Sequence, residues 1–146
     1  MSTAPTPIAA LEGVDAGYGE ARVLFGLSLA VHPGEVVTLM GRNGMGKSTT
    51  VRSLFGLVRP TAGRLLVRGR DLTGAAPHAI ARQGLGLVPE GRQIFTRLSV
   101  DENLIATAST ARGTTWTLDA VHALFPRLAE RRRNMGDQLS GGEQQM

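Results

Sequence analysis

At 146 residues with 42% apolar content, the chain is long enough to bury the core of one compact domain. Its 16 basic and 12 acidic residues leave a formal charge of +4, too small an excess to argue for nucleic acid by itself, and only one of the basic residues, Lys47, is a lysine. With no cysteine there is no disulfide framework or thiolate metal site, and no run approaches the roughly 18 apolar residues that a membrane-spanning helix needs.

Met1 to Pro7 is small and polar and reads as a short tail, without the charged-then-apolar order of a secretory signal. Ile8 to Val14 predicts a first strand, and Asp15 to Glu20 a loop. Val23, Phe25, Leu27, Leu29 and Val31 alternate with smaller or polar residues, the period of a half-buried strand. Pro33-Gly34 signals a turn. Val36 to Met40 is then a nearly continuous apolar run, as in a strand covered on both faces.

A glycine-rich segment, Gly41 to Gly46, leads into a predicted helix from Lys47 to Leu57 that ends near Gly56 to Pro60. A turn at Pro60 to Gly63 precedes a strand at Arg64 to Val67. Pro77 opens a short helix at its favoured first-turn position and Gly84 closes it. Leu85 to Val88 reads as another buried strand, stopped by Pro89. Ser99 and Glu102 have capping-box spacing for a helix from Val100 to about Ala108. Beyond a break at Gly113 to Thr115, Leu118, Val121, Leu124, Phe125 and Leu128 follow helical spacing. Small β elements, an α/β core and a helical insert result.

Gly41-Arg42-Asn43-Gly44-Met45-Gly46-Lys47-Ser48 fits the pattern G-x-x-x-x-G-K-[ST]. Glycines let the backbone curl so that successive N–H groups face phosphate oxygens, and the following helix presents its positive dipole end to the same anion. Lys47 reaches the β- and γ-phosphates in this pattern, while the Ser48 hydroxyl ligates Mg²⁺. Thr49 offers a donor to the α-phosphate. A chance glycine-rich turn is the competing reading, but a buried-type strand expected before the motif and a helix-forming run after it are the context a phosphate loop requires.

The last octet is Leu139-Ser140-Gly141-Gly142-Glu143-Gln144-Gln145-Met146. Two glycines permit close backbone approach, and Ser140 is placed to cap a helix starting near Glu143. Together with the phosphate loop, this octet resembles the signature of ABC nucleotide-binding domains, and the likeness runs from about Leu11 to Met146. The stretch from Val88 to Leu104 resembles the subunits that energise branched-chain amino-acid importers, and urea importer subunits look similar there.

The resemblance implies an α/β P-loop NTPase (RecA-like) core with an N-terminal antiparallel β-subdomain and a helical subdomain, incomplete because the chain stops at the signature. It divides the chain into a tail (1–7), β-subdomain and ATP-binding core (8–98), helical subdomain (99–138) and signature (139–146). ATP and Mg²⁺ are the implied cofactors, and Tyr18 stands where the family has its adenine-stacking aromatic. Ser140, Gly141 and Gly142 would act in trans, closing over the γ-phosphate held by a second ATPase subunit docked head to tail. Glu90 replaces the usual glutamine that meets Mg²⁺ and the attacking water; its carboxylate still ligates a metal but donates no hydrogen bond when ionised.

The implied partners are transmembrane permease subunits, with an indirect link to a solute-binding protein, on the inner face of the plasma membrane. Nucleic acid is not among them, since Arg131-Arg132-Arg133 reads as a solvated helix end. Ile94, Phe95 and Leu98 are either core or part of a groove for a permease's coupling helix; an exposed aromatic there favours the groove. His32, His78 and His122 are scattered rather than clustered. The family's acidic metal-binding strand and its catalytic glutamate have no counterpart in these residues. The chain by itself is therefore expected to bind ATP without turning it over. A non-hydrolysing nucleotide-binding module is the alternative. A DNA-repair ATPase fits less well, because no sustained heptads separate Lys47 from Ser140.

Overall fold

The computed structural model describes residues 6–91, 93–108 and 116–146. Part of the expected tail (1–5), Arg92 and the expected break at Gly113 to Thr115 lie outside the described residues. The chain forms two compact units, Met1–Leu87 and Val88–Met146.

The first unit is built on a four-stranded antiparallel sheet of order β2-β1-β3-β4. Its strands are β1 (Ala9–Tyr18), β2 (Ala21–Val31), β3 (Ala62–Val67) and β4 (Arg70–Asp71). Leu11 faces Leu29 on one side and Leu65 on the other, which places β1 centrally. Register shifts between Leu11, Val14, Ala16 and Gly17 turn three β1 side chains, Leu11, Val14 and Ala16, onto the covered face, where each is essentially inaccessible. These three join Leu24, Val58, Leu65, Val67 and Ile80 in one hydrophobic core. The helix α1 (Lys47–Leu54) packs beside β1 and β2, and α2 (Pro77–Ala81) supplies Ile80.

Four expectations from the tail to Val88 need correction. The segment from Asp15 to Tyr18 is not a loop: β1 runs through to Tyr18, which pairs with Ala21 across the turn at Gly19-Glu20. The bulges absorb the irregular pattern that resembled a loop. The helix after the glycine-rich segment stops at Leu54 rather than Leu57. Gly56 takes φ 68°, and the Leu57 N–H then reaches back to the Arg52 carbonyl at 2.8 Å, closing the helix end. Finally, neither Val36 to Met40 nor Leu85 to Val88 is a strand. A strand exists only as part of a ladder, and neither run has a hydrogen-bonded neighbour among the described residues. Val36 and Val88 are accordingly exposed, at 92% and 93%.

The second unit is helical: α3 (Val100–Thr107), α4 (Leu118–Leu124) and α5 (Pro126–Glu130), followed by short 3₁₀ turns at Gly136–Gln138 and Glu143–Gln145. The expected capping box is present. The Ser99 hydroxyl accepts from the Glu102 N–H, and the Glu102 carboxylate accepts from the Ser99 N–H at 2.8 Å. Helical spacing from Leu118 to Leu128 suggested one helix, whereas two form. Pro126 restricts Phe125, whose φ −123° and ψ 77° lie outside the helical region, so the axis breaks there. Asp101 on α3 binds His122 of α4 at 2.9 Å and Arg132 at 3.1 Å, tying the helices to the segment behind α5. Among the described residues no helix is long and apolar enough to cross a membrane.

Candidate functional site

The first candidate is the turn ahead of α1. Gly41, Gly44 and Gly46 all take positive φ, at 152°, 84° and 84°. Gly46 is the position where no other residue serves. It is the residue before the helix, it is buried, and a Cβ added to it would lie 2.8 Å from Leu24 Cδ2 in the core. Its carbonyl accepts from both the Thr50 N–H (2.8 Å) and the Thr50 hydroxyl (2.9 Å), which fixes the first turn of α1 against the loop.

Lys47 Nζ donates to the Gly41 and Arg42 carbonyls, both at 2.8 Å, so the ammonium lies across its own loop. The first turn of α1 contains no acidic residue, leaving the positive dipole end uncancelled. Ser48 is exposed and Thr49 buried. Arg42, Asn43 and Met45 line the open side of the loop as exposed residues. Curled amides, a helix N-terminus and one amine converge here. That combination fits a polyphosphate.

Tyr18, at the end of β1, is 48% exposed and belongs to the same unit. Its hydroxyl accepts a hydrogen bond from Arg52 Nη1 at 3.2 Å. The Thr49 hydroxyl, and after it the Arg52 guanidinium, hold the phenol below its ordinary pKa of 10.0. The structure therefore brings Tyr18 to the helix that begins with Lys47. Arg52 was missed in the sequence, although its three-residue spacing from Thr49 on one helix face is a signal that it shares that neighbourhood.

No group of three or more His, Asp or Glu side chains that could hold a metal ion occurs among the described residues. The Ser48 hydroxyl is the oxygen donor at the loop, a set that suits Mg²⁺ shared with phosphate oxygens and water rather than a protein-only cage. Glu90 is exposed, in irregular backbone of the second unit just before Gly91.

The signature octet lies in the second unit. Ser140 and Glu143 cap each other: the Ser140 N–H donates to the Glu143 carboxylate at 2.8 Å, and the Glu143 N–H to the Ser140 hydroxyl at 3.3 Å. The bond from the Ser140 backbone holds the Glu143 carboxyl below its usual value of 4.5, with the Ser140 hydroxyl second. Gln144 Nε2 bonds the Gly136 and Leu139 carbonyls at 3.0 and 3.2 Å, anchoring the turn from behind. Gly142 has open space around its α-carbon. Arg132 is engaged by Asp101 and Arg131 stands 3.9 Å from Glu143, so two of the three consecutive arginines have acidic partners.

In the stretch between the motifs, Ile94 and Leu98 are half-buried and Phe95 is 54% exposed. Asn103, which the sequence did not single out, shapes this loop. Its Oδ1 accepts from the Phe95 N–H at 2.8 Å, and its Nδ2 lies 3.0–3.1 Å from the carbonyls of Phe95, Leu98 and Ser99.

The family model described as "ABC transporter" matches residues 24–146. The chain is 41% identical over 137 residues to the high-affinity branched-chain amino acid transport ATP-binding protein BraG of Pseudomonas aeruginosa, covering 88% of this chain and 56% of that one. It is 35% identical over 137 residues to the lipopolysaccharide export system ATP-binding protein LptB of Haemophilus influenzae, covering 90% and 56%. Among solved structures, an ATP binding subunit of an ABC transporter superposes with a TM-score of 0.77 at 29% identity, over 94% of this chain and 58% of that chain. The chain thus spans little more than half the length of these relatives. With the family model matched over residues 24–146 and these likenesses beside it, the chain belongs to the ABC transporter family.

Proposed function

We propose that this chain binds ATP with Mg²⁺ as the nucleotide-binding portion of an importer's energising subunit, the transported solute being a branched-chain amino acid or a related small molecule. The observation that supports ATP binding best is local: Gly46, Lys47 and Tyr18 are all fixed to α1, so phosphate and base contacts share one rigid reference.

In this reading, residues 8–98 hold the nucleotide, 99–138 form the helical part and 139–146 the signature. Gly41 to Gly46 present amides to the phosphates. Lys47 has three donors; two hold the Gly41 and Arg42 carbonyls, and one remains for a phosphate oxygen. Ser48 ligates the metal and Thr49 lies beside the α-phosphate; Glu90 keeps its own reading as a metal-side group. The Tyr18 ring stacks on adenine. Ser140, Gly141 and Gly142 serve a second subunit's nucleotide, docked head to tail. The exposed Phe95 favours the groove reading of Arg92 to Asn103 over the core reading, as part of a surface for a permease's cytoplasmic segment. The subunit would then sit on the cytoplasmic face of the membrane beside its permease, linked through it to a solute-binding protein, with no nucleic acid involved.

Likeness to an export ATPase of comparable identity supports a second reading, in which the same ATP-binding part serves outward transport. Calorimetric titration with MgATP tests the shared core of both. Saturable heat in the natural chain, weakened about 10- to 100-fold in Lys47→Ala by loss of one charge-assisted bond, is expected. Equal heats in the two proteins would refute it.

A further inference from the structure

Tyr18 sits at the last pair of the β1–β2 ladder, beside a two-residue turn, with its ring half exposed. A ring at a strand end is free to swing about its side-chain torsions, and a swinging ring is a poor stacking surface because its freedom is lost on binding. Here the hydroxyl is held from α1. Arg52 Nη1 donates to it at 3.2 Å, and Thr49, one helical turn earlier on the same face, is the neighbour that lowers the phenol's pKa most. A guanidinium only donates, so the phenol oxygen must accept from Arg52, and this limits the orientations open to the ring. The lowered pKa of the phenol agrees with donors directed at its oxygen. Five residues before Arg52, Lys47 closes the phosphate loop.

Resting on the nucleotide-binding reading above, we propose that Arg52 is a positioning residue that fixes the plane of the Tyr18 ring through its hydroxyl, setting the base platform at a constant distance from the phosphate loop. Arg52 acts on the base end of the nucleotide and not on the phosphate end. Its removal should therefore weaken ATP while sparing a ligand that has no base.

The test uses the full chain and the variants Arg52→Met, Arg52→Lys, Tyr18→Phe and Arg52→Met/Tyr18→Phe, with ATP and inorganic tripolyphosphate as calorimetric probes. Arg52→Met is expected to raise the Kd for ATP about three- to tenfold, the worth of one such hydrogen bond, and to leave tripolyphosphate within about twofold. Tyr18→Phe should show the same ATP-only loss, and the double variant should be no worse than either single one, since both remove the same contact. Arg52→Lys, which keeps a donor, should recover part of the loss. Tyr18 is the only tyrosine, so its ionisation is read directly by ultraviolet absorbance, and Arg52→Met should shift that titration upward.

Equal losses for ATP and tripolyphosphate would mean that Arg52 contributes charge alone, and multiplying losses in the double variant would mean that it acts elsewhere; either overturns the proposal. Should Arg52→Met not fold, Tyr18→Phe decides, because it leaves α1 intact: unchanged ATP binding there also overturns it. A natural chain that binds neither probe removes the nucleotide reading and this inference together, whereas normal binding in all variants removes only the inference.

Discussion

Replacing Gly46 by alanine measures how tightly the phosphate loop is wedged against the core. The added Cβ meets two penalties of different origin. Gly46 holds φ 84°, and a left-handed alanine costs about 1–2 kcal/mol. The same Cβ would stand 2.8 Å from Leu24 Cδ2, and Leu24 is 5% exposed within the core, so relief requires repacking at about 1–3 kcal/mol. Gly46→Ala should therefore cost about 2–5 kcal/mol in urea-induced unfolding, a large share of a small domain's stability. The steric part can be isolated. In Gly46→Ala/Leu24→Val the clashing methyl is shortened, so the double variant should be less damaged than the sum of the singles by about 1–3 kcal/mol. A Gly46→Ala cost below about 0.5 kcal/mol, or strict additivity with Leu24→Val, would show that the loop does not rest on Leu24 as described.

Other expectations concern the helical unit. The Ser99 N–H, then the Ser99 hydroxyl, hold the Glu102 carboxyl below its usual 4.5. A depressed folded-state pKa means that the cap's stabilisation is full above about pH 4.5 and is lost as pH falls through the lower folded value; α3 ellipticity should drop over that acid range, and Glu102→Ala should flatten the dependence. Asn103→Ala leaves the Phe95 N–H and the nearby carbonyls without their side-chain partner. It should cost about 1–3 kcal/mol by thermal unfolding and expose residues 93–99 to limited proteolysis. Phe95→Ser should change stability by about 0.5 kcal/mol or less, because the ring is mostly outside the core; a loss of several kcal/mol would return Phe95 to the core reading.

What could be read in advance was what depends on local chemistry. The helix starting at Lys47 after a glycine-rich turn, the Ser99–Glu102 box and the Ser140 cap near Glu143 each follow from a few residues at fixed spacing, and each reappears in the geometry; the return bond from the Ser140 N–H to Glu143 was not foreseen. Features that depend on distant partners were not legible. An apolar run such as Val36 to Met40 carries no information about whether a ladder neighbour exists, and here none is present among the described residues. Nor does helical spacing from Leu118 to Leu128 outweigh the constraint that Pro126 places on Phe125. Of the residues around the loop, Leu24 lies more than twenty positions before Gly46 and Arg52 more than thirty after Tyr18; only folding joins them. Asn103 looked like an ordinary helix residue until its four backbone contacts were seen.

The most direct test of the account is amide hydrogen exchange of the natural chain with and without saturating MgATP. Slowed exchange concentrated in residues 41–50, and requiring about 10- to 100-fold more nucleotide in Lys47→Ala, is the predicted pattern, since ligand bound to those amides must be released before they open. Unchanged exchange there under saturating nucleotide, or protection confined to other segments, would contradict the claim that this turn grips the phosphates.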